Sequence, residues 1–255
     1  MMLAAAIVGA ILIGLSLGLL GSGGSILTVP VLVYVLGQPE KVAIAGSLAI
    51  VGAIAAVGAA QWSRSGMIHW RSVGWFGIPG IAGTVGGAWA SVLVTGETQL
   101  LVFAGVMLTA AWFMLRPPRI VPPSAVPVPE RALPKVVADG LAVGALTGFV
   151  GVGGGFLIIP ALVLLARLDM HRAVATSLVI IALKSFAGFA KYLPVLAAEG
   201  LSVDWHIIGL FSAVGAAGTV AGNHIGRRIP QAALKRGFGL MLIPMALYIL
   251  WRSWP

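Results

Sequence analysis

"GLLGSGGSILTVP" at residues 18–30 and "GFVGVGGGFLIIP" at residues 148–160 break the chain in the same way, 130 residues apart. Each is Gly-rich, ends in Pro, and lies inside apolar sequence that would otherwise stay helical. The match runs outward from there. "AIAGSL" (43–48) repeats as "AVATSL" (173–178) at the same offset, "GTVGG" (83–87) as "GTVAG" (218–222) at 135, and "GVML" (105–108) as "GLML" (239–242) at 134. Order is kept throughout, which is the signature of an internal duplication. The first repeat is read as residues 1–116 and the second as 136–255. Between them lies the linker 117–135, whose seven prolines and several charges call for an extended solvent loop on the cytoplasmic side.

Composition fixes the solvent. Of 255 residues, 59% are hydrophobic and only 9% charged. Uncharged runs at 1–39, 42–63, 72–96, 98–115, 140–166, 205–226 and 237–251 reach or approach the roughly 20 residues that a spanning helix needs. The fold class is therefore an all-α polytopic membrane protein; a membrane barrel would show short alternating segments. The absence of cysteine excludes disulfides and thiol chemistry. No Lys or Arg precedes the first apolar run, so residues 1–20 are expected to stay in the mature chain. A net charge of +9 would suggest nucleic acid in a soluble protein, but the basic residues lie between apolar runs, so no nucleic-acid partner is expected.

Topology turns on those basic residues. Segments 43–62, 73–93, 99–115, 173–195, 205–223 and 237–251 are expected to cross. The two segments flanking each glycine cluster either form one broken helix or a hairpin that returns to its own side. A broken helix would leave seven basic residues on each face. A hairpin gathers Arg64, Arg71, Arg116, Arg119, Arg131, Lys135, Arg167, Arg172, Arg227, Arg228, Lys235 and Arg236 on one face and leaves Lys41 and Arg252 on the other, twelve against two. Positive charge collects on the cytoplasmic side. The hairpin is therefore preferred, with both termini outside the cytoplasm. Three crossings per half is an odd number, so the halves face opposite ways as two inverted-topology repeats, each a Gly-rich helical hairpin plus three transmembrane helices. A second arm of eleven residues, 26–36 or 156–166, makes about 16 Å of helix, roughly half the bilayer core. The hairpin tips are expected to meet near the midplane.

A turn at that depth exposes backbone amides that hydrocarbon cannot satisfy, so it must lie inside protein or beside a cavity. Glycine permits positive φ and close approach to a ligand. The arm after each turn starts with free N–H groups and a positive dipole end, which favour an anion without a metal. Close helix packing is the structural alternative, and it is the expected role of isolated glycines such as Gly105 and Gly209. Lys184 lies eleven residues into an apolar run, where a charge is costly and usually functional, and is read as an anion-binding cation. Ser177, Lys184 and Lys191 are spaced by seven and share a helix face; their repeat equivalents are Ser47, Ile54 and Gln61. Lys191 is expected to snorkel to the interface. Ser47 and Ser177 either donate to substrate or bond their own helices. Thr84 and Thr219 are expected to bond their own helix backbones. Asn223 has no repeat partner and is placed at a helix end. His69, His171, His206 and His224 are expected at the interface, in no metal-binding spacing, and six of the tryptophans form an aromatic belt. No Asp or Glu sits near the expected bilayer centre and no phosphate-loop lysine follows "GSGGS", so neither a carboxylate proton relay, a nucleotide-driven step nor a membrane-embedded enzyme is expected.

"GLLGSGGSILTVPVL" and "GFVGVGGGFLIIPAL", followed by "AIAGSL" and "ATSLVIIALKSFAGFAKYL", resemble the TauE/SafE family over essentially the whole chain outside the linker. The resemblance implies a secondary transporter, without cofactor, in the bacterial inner membrane. It would export sulfite, sulfoacetate or a related organosulfonate, with uptake, or another anion such as thiosulfate, as the alternative. A non-transporting membrane scaffold is the reading from outside transport, and a homodimer is compatible with the Gly-rich faces. Carried over residue by residue, the substrate site falls on Gly21, Ser22, Gly23, Gly24, Ser25, Ser47, Gly151, Gly153, Gly154, Gly155, Ser177 and Lys184. Ser22 and Ser25 give the first turn hydroxyls that "GVGGG" lacks.

Overall fold

The computed structural model describes residues 2–21, 23–90, 94, 96–116, 133–150 and 155–252. Every regular element among them is helical. The first half holds α1 (Met2–Leu20), α2 (Gly23–Pro30) continued by a wide π turn (Val31–Val35), α3 (Glu40–Ser63), α4 (Trp70–Ser72) joined through a second π turn (Val73–Gly77) to α5 (Ile78–Ala90), and α6 (Gly96–Leu115). The second half holds α7 (Leu133–Val150), α8 (Gly155–Leu164), α9 (Met170–Ala198), α10 (Trp205–Gly226) and α11 (Gln231–Arg252). Lys41–Ser63, Met170–Ala198, Trp205–Gly226 and Ala232–Trp251 are long and apolar enough to cross a membrane. The expected span 73–93 is assembled instead from α4, the π turn and α5 in series.

Local sequence explains the irregular pieces. Pro30 has no backbone N–H to complete a helical turn, and the chain widens directly after it. Asp169 accepts from Arg172 N–H at the start of α9, and Asp204 accepts from the N–H groups of His206 and Ile207 at the start of α10. His69 caps α4 by accepting from Ser72 N–H, and His171 and His224 also sit at helix ends.

Contacts fix the directions. The space beside Gly9 is filled by Val31, and that beside Gly24 by Ile13 and Leu17, so α2 doubles back along α1 as a hairpin. Along the α3–α9 contact, Gly188 meets Leu48, Gly52 meets Ser185 and Phe186, and Gly58 meets Leu178, so these equivalent helices run antiparallel. The Lys41–Glu199 ion pair closes one end of them. Arg64, Arg172 and Arg227 lie at the other, where His69 N–H donates to Thr176 and His171 reaches the Gly226 carbonyl.

Counting the two hairpin arms as the first two segments of each half, the fourth spans, α4–α5 and α10, are exchanged between the halves. α5 packs along α7, and α10 along α1, each pair parallel. The contacts are backbone to backbone: a Cβ added at Gly144 would lie 2.2 Å from the Gly80 carbonyl, at Gly148 1.9 Å from that of Thr84, and at Gly14 2.0 Å from that of Gly215. Small residues let helices approach this closely where lipid gives no hydrophobic drive for association. Gly105 and Gly209 do not act in this way, because among the described residues nothing lies within 4 Å of their missing Cβ atoms. Of the paired threonines, Thr84 bonds its own helix at Gly80, as expected, whereas Thr219 donates across the interface to the Gly14 carbonyl at 2.8 Å.

Candidate functional site

The first glycine turn is held by α9. Gly21 has φ +71°, and its N–H returns to the Leu17 carbonyl at 2.7 Å, closing α1 in the left-handed conformation that glycine adopts at little cost. Its carbonyl accepts from Ser177 Oγ at 3.0 Å. A Cβ at Gly21 would meet Ile159 of α8 and Ser177 Oγ, each at 2.8 Å, and Val174 at 2.9 Å. The single Ser177 hydroxyl proton is thus shared between the Val174 carbonyl of its own helix, at 2.8 Å, and the Gly21 carbonyl at the turn. Ser47, its repeat equivalent, bonds the Ile44 carbonyl of its own helix and no other group among the described residues. Gly23, Gly24 and Ser25 form the first turn of α2, and Gly24 sits tightly on the Ile13 carbonyl, a packing role. Gly155 opens α8. Ser22, Gly151, Gly153 and Gly154 lie outside the described residues.

The turn lies deeper than halfway along α9 and its partners. α1 has 19 residues, about 28 Å of helix, close to a full crossing. Only the returning arms are short. Gly21 accordingly reaches Val174, in the second turn of α9, rather than the middle of that helix. It also meets the middle of α8 rather than the turn that precedes it.

Lys184 occupies the middle of α9 and is only 2% exposed. Its Nζ has no hydrogen-bond partner among the described residues. It borders a cavity of about 20 Å³ enclosed with Thr84, Thr147, Gly148, Gly188 and Tyr192, room for about one water. Gly80 adjoins the ammonium: a Cβ there would lie 3.5 Å from Nζ, in ordinary contact. The hydroxyls of Thr84 and Thr147 donate to the Gly80 and Val143 carbonyls of their own helices. Lys191, on the same cavity, is exposed, in keeping with a snorkelling role. A buried ammonium without a partner is expensive, and the position suits an anion. Along α9, Lys184 lies seven residues, about 10 Å of helix, beyond Ser177, where Gly21 rests, and Gly148 lines the same cavity as Lys184.

Sequence reasoning missed Gly80, Thr147 and Tyr192, which come from three helices and carry no local signal. It also underplayed Asn223. That residue is 1% exposed and donates to Gln61 Oε1 at 2.7 Å, tying α10 to α3.

Residues 6–249 match the family model "Sulfite exporter TauE/SafE". Two strains of Xylella fastidiosa each hold a relative named "Probable membrane transporter protein", 34% identical over 248 residues, covering 95% of this chain and 93% of the relative. A protein of the same description from Methanocaldococcus jannaschii is 29% identical over 193 residues, 72% of this chain and 71% of its own. No solved structure matches the chain. With a family match across nearly its whole length, on a scaffold of apolar helices, the chain belongs to the sulfite exporter TauE/SafE family and is a membrane transporter.

Proposed function

We propose that the chain is a secondary transporter that exports a small sulfur oxyanion, sulfite or an organosulfonate, with Lys184 as the cation that binds it. The observation that carries this reading is the Lys184 ammonium, buried in mid-helix without a protein partner among the described residues. The two repeats, 1–116 and 136–255, are read as inverted across the membrane, and three features support this. Equivalent helices α3 and α9 run antiparallel, α2 folds back on α1, and each half lends its fourth span to the first helix of the other. A transporter of this kind binds substrate where its repeats meet, near the midplane, and rocks one part against the other. Lys184, in the middle of α9, is the residue we assign to that level.

Gly21 and Ser177 hold the first turn in shape. Ser22, Gly23, Ser25, Gly151, Gly153, Gly154 and Gly155 are the further residues we assign to the substrate. The chemistry is binding and release, with no enzymatic step or cofactor. The basic residues at one end of α3, α9 and α10 support a bacterial inner-membrane orientation with that end cytoplasmic and both termini outside. A potential of about 100 mV, negative inside, then favours exit by roughly 2.3 kcal/mol per negative charge.

Proteoliposomes loaded with sulfite, sulfoacetate or thiosulfate test the reading. Efflux of one or both of the first two, faster under an imposed potential and lost in Lys184→Met, is the expected result. Equal flux in the wild type and the variant would overturn the role of Lys184, and thiosulfate as the sole substrate would overturn the substrate assignment.

A further inference from the structure

A second cavity, of about 860 Å³, opens on the flank of the bundle between α3 and α10. Its walls are the side chains of Val57, Val220 and Ile225, which are 38%, 43% and 47% exposed on a surface that faces lipid. Ala60, Ala217 and Ala221 keep its floor low. One end is cationic: Arg64 follows the last residue of α3, and Arg227 the last residue of α10. No acidic residue lines the groove among the described residues.

The charge balance at that end favours an anion. Two parallel helices finish there, and each C-terminus carries about half a negative charge, so two guanidiniums leave a net positive site. Arg227 is already oriented. Its guanidinium lies 4.2 Å from the Trp62 ring centre and donates to the Gln61 carbonyl at 3.4 Å, which leaves further donors of its planar fork for an oxyanion.

Size then selects the ligand. The Lys184 cavity holds about one water, whereas this groove falls within the range of about 300–1,000 Å³ typical of ligand sites. A small inorganic oxyanion would leave most of it empty and would not touch its apolar trough. The two cavities also occupy repeat-related places. Gln61 stands where the other has Lys191, and Val220 stands where it has Val85. Arg64, however, corresponds to Pro194, so the surface cation belongs to this half alone.

We propose that the α3–α10 groove binds an anionic phospholipid, with its phosphate between Arg64 and Arg227 and an acyl chain along Val57, Val220 and Ile225. Basic pockets between spans are a recurrent form of headgroup recognition. The assignment rests on the membrane setting and not on which anion is transported.

Native mass spectrometry of the full chain released from detergent micelles tests it, with phosphatidylglycerol, phosphatidylethanolamine, inorganic phosphate and sulfite as probes. Phosphatidylglycerol should be retained with about thirtyfold preference over phosphatidylethanolamine, the effect of two surface arginines. Arg64→Gln/Arg227→Gln should abolish the preference, and Lys184→Met should keep it. Val220→Trp, which fills the trough and spares the charges, should also weaken retention, so a folding defect from losing the Arg227–Trp62 contact cannot mimic the result. Undiminished preference in the arginine variant, undiminished retention in the Val220 variant, or no preference in the wild type overturns the proposal. Competition by phosphate or sulfite at concentrations equal to the lipid overturns the lipid assignment in favour of a soluble anion.

Discussion

Lys184 separates binding from folding. A buried ammonium lacking a partner among the described residues is a burden on the empty protein, so Lys184→Met is expected to leave the thermal midpoint unchanged or raised. The same change removes a charge-assisted contact worth about 1.5–3 kcal/mol, so apparent affinity for the anion should fall roughly 10- to 100-fold in a flux or binding titration. A variant that unfolds at lower temperature would mean the lysine has a structural partner. Ser177 has the opposite character. Ser177→Ala strands the buried Gly21 carbonyl at a cost of about 1–3 kcal/mol. For a chain of this size that lowers the midpoint by about 2–4 °C per kcal/mol, measurable by scanning fluorimetry. Ser47→Ala, which gives up only a bond within its own helix, should lower it less. Lys184 was legible in the sequence because a charge in an apolar run stands out against its neighbours. Gly80 and Thr147 were not, because only the exchange of helices between the halves brings them beside it.

Helix pairs are decided by backbone contact. Gly144→Leu must push α5 and α7 apart against carbonyls that already touch the glycine, so we expect little folded protein, read as loss of the monodisperse peak in size-exclusion chromatography. Gly105→Ala and Gly209→Ala meet open space and should fold normally, with a gain of about 0.5–1 kcal/mol from reduced chain entropy. The sequence pattern does not distinguish these two classes, since all are glycines in apolar runs. What distinguishes them is which face meets a neighbour. The hairpin, by contrast, was legible at this scale from charge alone: an unbroken crossing would have split the basic residues evenly, and α2 does lie back along α1. Its depth was misjudged, because the length of the returning arm was used and that of α1 was not.

For the molecule as a whole, the cysteine-free sequence makes orientation simple to measure. Single substitutions Arg64→Cys and Arg228→Cys should react with a membrane-impermeant maleimide only after the cytoplasmic side is opened, and Lys41→Cys should react in intact cells. Labelling of all three from one side would remove the proposed topology. The duplication is legible as paired motifs at near-constant offsets. The exchange of fourth spans is not, because repeats announce likeness and say nothing about which copy a helix embraces.

That exchange sets a timetable. α1 ends at Leu20 and its partner α10 begins at Trp205, so the ribosome must add 185 residues before the two can meet. At about 5–20 residues per second the wait is roughly 10–40 s. Through that interval the grooved face of α1, shaped by Gly14 and Gly18 for a helix not yet made, is left to lipid or to the insertion machinery. Biogenesis of such a chain depends on whatever shelters its first helix until its last quarter has been synthesised.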